Sequence, residues 1–297
     1  MTISKPVLVV IGSGGIGIAI ARRLGSGSHI ILADFSPTQL EGASSILCAE
    51  GYSAETVQTD ISNLESVQDL ARRAAQAGRI GIIAHTAGLS PQQASPDRIY
   101  HVNLLGTALI IDCFLEVASA GTSLVVIASM AGHTMQGSLC PEFESHLATS
   151  PVKELMLHRE LENTMYGTGD RRECDDDDTN PAAETLLRVQ AYGTSKRGNI
   201  LRVQAAALAW SRRGARINSV SPGMILTAMG RQELDGPFGA HVREEIGRSP
   251  AGRFGTADDV ANVVAFLSGR EAAYITGNDI LVDGGWTSSR KWSCHIE

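Results

Sequence analysis

Val7-Leu8-Val9-Val10-Ile11, five apolar residues in a row, runs straight into Gly12-Ser13-Gly14-Gly15-Ile16-Gly17. An unbroken apolar run of that length suits a strand covered on both faces. The pattern then changes to helical spacing from Gly15 to Leu24, closed by Gly25. A strand that turns through glycines into a helix leaves free N–H groups and the positive end of the helix dipole at the turn, where they hold an anion. Glycine lets the backbone reach a phosphate with no side chain between them. A lone GxGxxG string is weak, but between an apolar strand and a helix it reads as a dinucleotide cradle. The plainer alternative is a turn whose glycines only supply positive φ.

The same rhythm repeats along the chain. Further strands are expected at His29–Ala33, Ala54–Thr59, Ile80–His85, Ser123–Ala128, Arg216–Ser221 and Asp279–Val282. Helices are expected from Ser36-Pro37 to before Gly51, from near Ser62 to before Gly78, over Pro96–Ala120, over Tyr192–Arg213, and from Thr256, where Asp259 completes a capping box. Strands alternating with helices predict an α/β fold, a doubly wound parallel sheet with helices on both faces. Ligands of such sheets sit beyond the carboxyl ends of the strands. Asp34 lies there, at the end of the second strand and 22 positions after Gly12. A carboxylate at that place accepts the adenosine ribose hydroxyls and repels a 2′-phosphate, so NAD is expected and NADP disfavoured. A turn or helix-capping role before Ser36-Pro37 is the alternative for Asp34.

The chain has 297 residues, 43% hydrophobic and 19% charged, with net charge −7. These values fit a globular enzyme, read here as a single Rossmann-like domain over 1–297. No basic stripe invites nucleic acid. Five scattered cysteines (Cys48, Cys113, Cys140, Cys174 and Cys294) show no CxxC pair, which argues against a disulfide framework or a zinc site. With no signal peptide or membrane-length stretch read at this level, a cytoplasmic location is expected. Residues 134–190 break the rhythm, with helical pieces, the acidic run Asp175–Asp178 and no convincing strand. They read as an insertion, and the acidic run as a solvated loop rather than a metal site.

Five further motifs stand in order. They are Asp60-Ile61 after the third strand; Val102-Asn103-Leu104-Leu105-Gly106; Ile127-Ala128-Ser129-Met130-Ala131-Gly132; Tyr192-Gly193-Thr194-Ser195-Lys196; and Ser221-Pro222-Gly223-Met224-Ile225-Leu226-Thr227. Together with Val282-Asp283-Gly284-Gly285 they resemble the short-chain dehydrogenase/reductase family over nearly the whole chain, apart from the insertion and the tail. The resemblance implies an oxidoreductase that interconverts a secondary alcohol and a ketone. Its implied catalytic set is Asn103, Ser129, Tyr192 and Lys196. Its implied cofactor contacts are Gly12, Ser13, Gly14, Gly15, Ile16, Gly17, Asp34, Phe35, Asp60, Ile61, Ala87, Gly88, Tyr192, Lys196, Pro222, Gly223, Ile225 and Thr227, with no metal. A homodimer or homotetramer is implied as well. The chemistry agrees with the residue types. Tyr192 and Lys196 lie four apart on a helix and share a face. A nearby ammonium favours phenolate, bringing a group that titrates near pH 10 towards working pH.

Departures from the family pattern carry expectations of their own. The Gly loop is one residue short, and Ile11 stands where the family has Thr. His85-Thr86-Ala87-Gly88 replaces Asn-Asn-Ala-Gly, which removes the braces of the central strand; His85 is either a structural histidine or a new catalytic group. The 63 positions from Ser129 to Tyr192 far exceed the family's spacing. Residues 134–190 are therefore a candidate substrate lid, with His133, Met135, Leu155, Met156 and Leu157 as contacts; an oligomer contact and a disordered loop are the alternatives. A non-redox enzyme (epimerase, isomerase or dehydratase) on the same fold, and a dinucleotide-sensing binding protein, remain as competing functions.

Overall fold

The computed structural model describes residues 5–166, 181–236 and 239–292. Seven strands form one sheet: β1 Val7–Ile11, β2 His29–Asp34, β3 Ala54–Gln58, β4 Ile80–His85, β5 Ser123–Ile127, β6 Arg216–Pro222 and β7 Asp279–Val282. They run in the order β3-β2-β1-β4-β5-β6-β7, every pair parallel. All seven expected strands are present, with ends moved by at most one residue. The order reverses between β1 and β4, which opens a crevice above their carboxyl ends.

Helices cover both faces. α1 Gly15–Leu24 and α13 Ala257–Ser268 lie over one face, and α3 Leu64–Ala77, α5 Gly106–Val117 and α10 Pro181–Arg212 over the other. Capping follows the expected chemistry at most ends. Ser36 caps α2 Pro37–Ala49, and Thr256 with Asp259 forms the capping box of α13. α3 opens near Ser62 as expected, capped by Asn63, while the N–H and hydroxyl of Ser62 both donate to Asp60.

The expected helix Pro96–Ala120 is α4 Pro96–Ile99, a π-helical turn over Tyr100–Leu105, and α5, ending at Val117 where Ala118 becomes extended. The run 96–117 is long and apolar enough to cross a membrane, which the sequence reading passed over. However, 72% of its most apolar window is buried inside the molecule, as befits a core helix.

The helix that carries Tyr192 begins at Pro181, eleven residues earlier than expected. Between β5 and α10 the chain forms α6 Met130–Thr134, α7 Pro141–Thr149, α8 Val152–Leu155 and α9 Arg159–Tyr166. Phe143, Leu147, Leu155 and Leu161 from this stretch bury themselves against Ile99, Tyr100, Leu104, Ala108 and Ala191, forming a third apolar cluster. Arg202 of α10 pins the same stretch, its Nη1 donating to Leu147 O and Ser150 O at 3.1 Å each. The acidic run Asp175–Asp178 and the cysteines Cys174 and Cys294 lie outside the described residues.

Candidate active site

The glycine loop is shaped by its own closure. Gly12 has φ +99°, and a Cβ there would stand 2.5 Å from Ala87 N; a Cβ on Gly17 would stand 1.9 Å from Gly12 O. Gly14, the N-cap of α1, has nothing within 4 Å of a Cβ position, and the first turn of α1 carries no acidic residue. Space and positive potential therefore coincide where a pyrophosphate would dock.

Ser13 departs from its expected role as a cofactor contact. It is fully buried, and its N–H and hydroxyl both donate to Asp34 Oδ2, at 2.7 and 3.0 Å. Asp34 Oδ1 accepts from Ser36 N at 2.9 Å. Asp34 thus ties the shortened loop to β2 and also orders the entry to α2, so its turn-forming role and its place in the groove hold together.

The groove has a volume of about 530 Å³ and is lined by Gly12, Gly14, Gly15, Ile16, Gly17, Asp34, Phe35, Asp60, Ile61, Ala87 and Gly88. Arg98, from distant α4, lines it too: its guanidinium lies 5.9 Å from the Phe35 ring centroid and 4.0 Å from Asp60. Sequence reasoning missed Arg98 because nothing in its local pattern announces a fold-level neighbour of Phe35.

The loss of the Asn-Asn pair does not leave β4 unbraced. Thr86 Oγ1 donates to Gly12 O at 2.8 Å, and Thr86 N and Ala87 N both donate to Ile11 O. His85 is fully buried, with Nε2 3.0 Å from Thr107 Oγ1, and Thr107 Oγ1 donates to Asn103 O at 2.7 Å. The hydroxyl's proton is used on that carbonyl, so Nε2–H of His85 is the donor. Burial, then the Lys196 charge, pushes its pKa down to about 3. His85 lines neither cavity, which fits the structural alternative.

Asn103 braces the loop after β4. It sits in the π turn, and its amide is used on one residue, accepting from Leu89 N at 2.8 Å and donating to Leu89 O at 2.9 Å. It lines neither cavity; these bonds position the loop after β4, and its Oδ1 and Lys196 Nζ both stand within 3.5 Å of a Cβ position on Gly88.

A second cavity of about 290 Å³ continues from the groove, sharing Ile16, Thr86, Gly88, Leu89, Thr227 and Met229 with it. Ser129, Tyr192 and Lys196 line it together, with Pro222, Gly223 and Ile225 also in its wall. Lys196 is buried, its Nζ donating to Ile127 O at 3.0 Å and lying 5.7 Å from the centroid of the Tyr192 ring. Burial lowers its pKa to about 8. Ser129 caps α6, with Oγ accepting from Ala131 N at 3.2 Å, which leaves its proton available for donation into the cavity.

None of the five residues named as lid contacts lines this cavity. His133 bonds Asp279 at 2.7 Å, Met135 packs beside Gly193, Leu155 is in the third apolar cluster with Met156 against it, and Leu157 is exposed. From 134–190, Val189 of α10 is the one described residue in the wall, which is completed by Met130, Met224, Met229 of α11 (Ala228–Asp235) and Val242 of α12 (Gly239–Arg248). Met130 and Met224 stand inside the quoted motifs, and nothing in the local pattern marks the other three.

A phenol, an ammonium and a hydroxyl donor around one cavity can hold an oxygen and move its proton. Comparison with known proteins agrees. The short chain dehydrogenase family model matches residues 5–141, and the enoyl-(acyl carrier protein) reductase model residues 182–287. A short-chain dehydrogenase/reductase of Alternaria brassicicola is 37% identical, over 95% of this chain and 96% of that protein. D-threitol dehydrogenase of Mycolicibacterium smegmatis is 27% identical over 95% of this chain and 93% of its own. The structure of a blue fluorescent protein from a metagenomic library, in complex with NADPH, superposes with a TM-score of 0.67 at 22% identity, covering 95% of this chain and 97% of that one. The chain belongs to the short-chain dehydrogenase/reductase family, oxidoreductases that work with a nicotinamide dinucleotide.

Proposed function

We propose that this protein interconverts a secondary alcohol and a ketone with NAD(H). The observation that carries this reading is the convergence of Ser129, Tyr192 and Lys196 on a cavity continuous with the glycine-lined groove. The groove fits the cofactor on three counts: the open space at Gly14, the uncapped N-terminus of α1, and the apolar and acidic wall formed by Ile61, Phe35, Asp60 and Asp34. When bound, the nicotinamide supplies or accepts the hydride.

The chain's own residues handle the oxygen and its proton. At pH 7 Lys196 keeps its charge, since its pKa of about 8 lies above that pH. That charge beside the Tyr192 ring favours the phenolate. In the oxidation direction Tyr192 Oη takes the hydroxyl proton of the alcohol while Ser129 Oγ donates to the same oxygen. In reduction Tyr192 returns the proton to the carbonyl oxygen. Asn103 fixes Leu89, and with it the loop that forms one wall of both cavities.

Asp34 supports NAD over NADP, because its carboxylate stands in the groove where a 2′-phosphate would bring further negative charge. Arg98 offers little compensation: it faces Asp60, and its Nη1 donates to Ser62 Oγ. The free thiols of Cys48, Cys113 and Cys140 support a reducing, cytoplasmic location, and the family resemblance supports a homodimer or homotetramer.

Absorbance of NADH tests the reading. Replacing Tyr192 by Phe is expected to lower turnover by about 10²–10⁴ while NADH affinity stays unchanged. Product formation with no change in the NADH band would instead favour the non-redox alternative.

A further inference from the structure

Away from Ser129, Tyr192 and Lys196, the wall of the second cavity is mostly apolar, with Thr86 and Thr227 as its further hydroxyls. Leu89 comes from the loop after β4, Met130 from α6, Val189 from α10, and Met224, Met229 and Val242 from the region after β6. Among the described residues lining it, Lys196 is the only charged one, and the only amide is that of Gln92, which is exposed. Three of the wall residues are methionines, whose flexible, polarizable side chains settle against irregular apolar shapes. The apolar surface also continues outward: Val189 is 46% exposed, and Leu186, one turn before it, is 65% exposed.

A polyol has a hydroxyl on almost every carbon. Thr227 offers one further hydroxyl, while the Thr86 proton is spent on Gly12 O, so most polyol hydroxyls buried here would lose their water without finding a partner, each weakening binding roughly five- to a hundredfold. A carboxylate or phosphate would fare worse, since no guanidinium or second ammonium among the described lining residues could receive it. The cavity of about 290 Å³ takes the nicotinamide ring as well, so the space left over suits a compact substrate.

We infer that the substrate is an uncharged, largely apolar cyclic or branched secondary alcohol, or its ketone. The carbinol oxygen is its one deeply buried polar group, and any second polar group sits at the Gln92 rim. This inference rests on the alcohol–ketone reading above and narrows its substrate class.

The test compares kcat/KM with NAD⁺ for decahydro-2-naphthol, cyclohexanol and D-threitol, together with binding of decahydro-2-naphthol to the NADH complex. The expected result is a rise of about fourfold per additional buried methylene from cyclohexanol to decahydro-2-naphthol, with D-threitol lowest. Val189→Glu, an exposed helix position where folding is little affected, is expected to lower the decahydro-2-naphthol value at least tenfold without changing NADH affinity. D-threitol oxidised as well as the fused-ring alcohol, in a Tyr192-dependent reaction, overturns the apolar substrate class and leaves the redox reading standing. Failure of decahydro-2-naphthol to bind at millimolar concentration also overturns the class. Tight, Val189-dependent binding with no hydride transfer in either direction supports the apolar site and removes the redox reading.

Discussion

Replacing Asp34 by Ala should destabilise the protein before any cofactor is added. Ser13 is fully buried, and its N–H and hydroxyl both end on Asp34 Oδ2, while Ser36 N ends on Oδ1. The exposed neighbourhood of Ser36 lets water replace its bond, so little is lost there. Ser13 has no such recourse: a buried donor left unmet costs about 1–3 kcal/mol, and hydrogen bonds to a charged acceptor contribute about 1.5–3 kcal/mol each. A net loss of about 2–4 kcal/mol follows, equivalent to a fall in Tm of roughly 3–6 °C for a chain of this size. Asp34→Asn keeps one acceptor oxygen but turns an NH₂ towards a backbone donor, so it should fall between wild type and Ala. The assay is urea and thermal unfolding of the cofactor-free protein, repeated with saturating NADH. Were Asp34 only a ribose ligand, the cofactor-free curves would coincide and only the added stabilisation by NADH would shrink. Coincident cofactor-free curves for wild type and Asp34→Ala would refute the loop-tying role assigned to this carboxylate.

Three further perturbations have expected outcomes. Gly17→Ala places a methyl 1.9 Å from Gly12 O, so NADH binding measured by fluorescence should be lost; retention within threefold would mean that the loop is not closed as described. His85, with its pKa lowered from 6.5 to about 3, stays neutral in the native state while the unfolded chain takes a proton as pH falls through that window. Wild type should therefore lose on the order of 4–5 kcal/mol between pH 6.5 and 3 through this group alone, and His85→Asn should show a shallower acid unfolding profile. For Lys196 the window is alkaline: with a native pKa of about 8 against 10.5, the native state sheds its proton first, so the buried charge is relieved and stability rises by up to about 3 kcal/mol from pH 8 to 10.5. Urea titrations of wild type and Lys196→Met should converge or diverge across that window; parallel profiles would show that Lys196 is not buried as a cation.

Much of the fold was legible because each strand is a short apolar run bounded by glycine, proline or a capping residue, and those signals are local. The Gly12–Gly17 loop, Asp34, Ser129, Tyr192 and Lys196 were legible for a related reason. Each lies at a strand end or within one helix turn of its partner, where spacing determines direction. What escaped notice depends on packing between distant segments. Ser13 looked like a phosphate contact until β2 brought Asp34 beneath it. That the Asn103 amide braces Leu89 shows only once the π turn is formed. Thr86 restores by a hydroxyl the brace that the missing asparagines seemed to remove. The described part of 134–190 reaches the cavity only through Val189, while Phe143, Leu147, Leu155 and Leu161 bury themselves in a cluster beside α10, because their partners lie on α4, α5 and the π turn. Helical spacing shows that such residues are apolar, not which neighbour they will cover.

The most direct measurement of the central assignment is a crystal structure of the protein grown with NADH. The adenosine should lie against Phe35, Asp60 and Ile61, and the nicotinamide should lie in the cavity with its reactive carbon facing Ser129 Oγ and Tyr192 Oη, and Lys196 at its ribose. A nicotinamide ring lodged elsewhere, or a Tyr192 hydroxyl turned out of hydrogen-bonding reach of that face, would contradict the proton-and-hydride mechanism assigned to these residues.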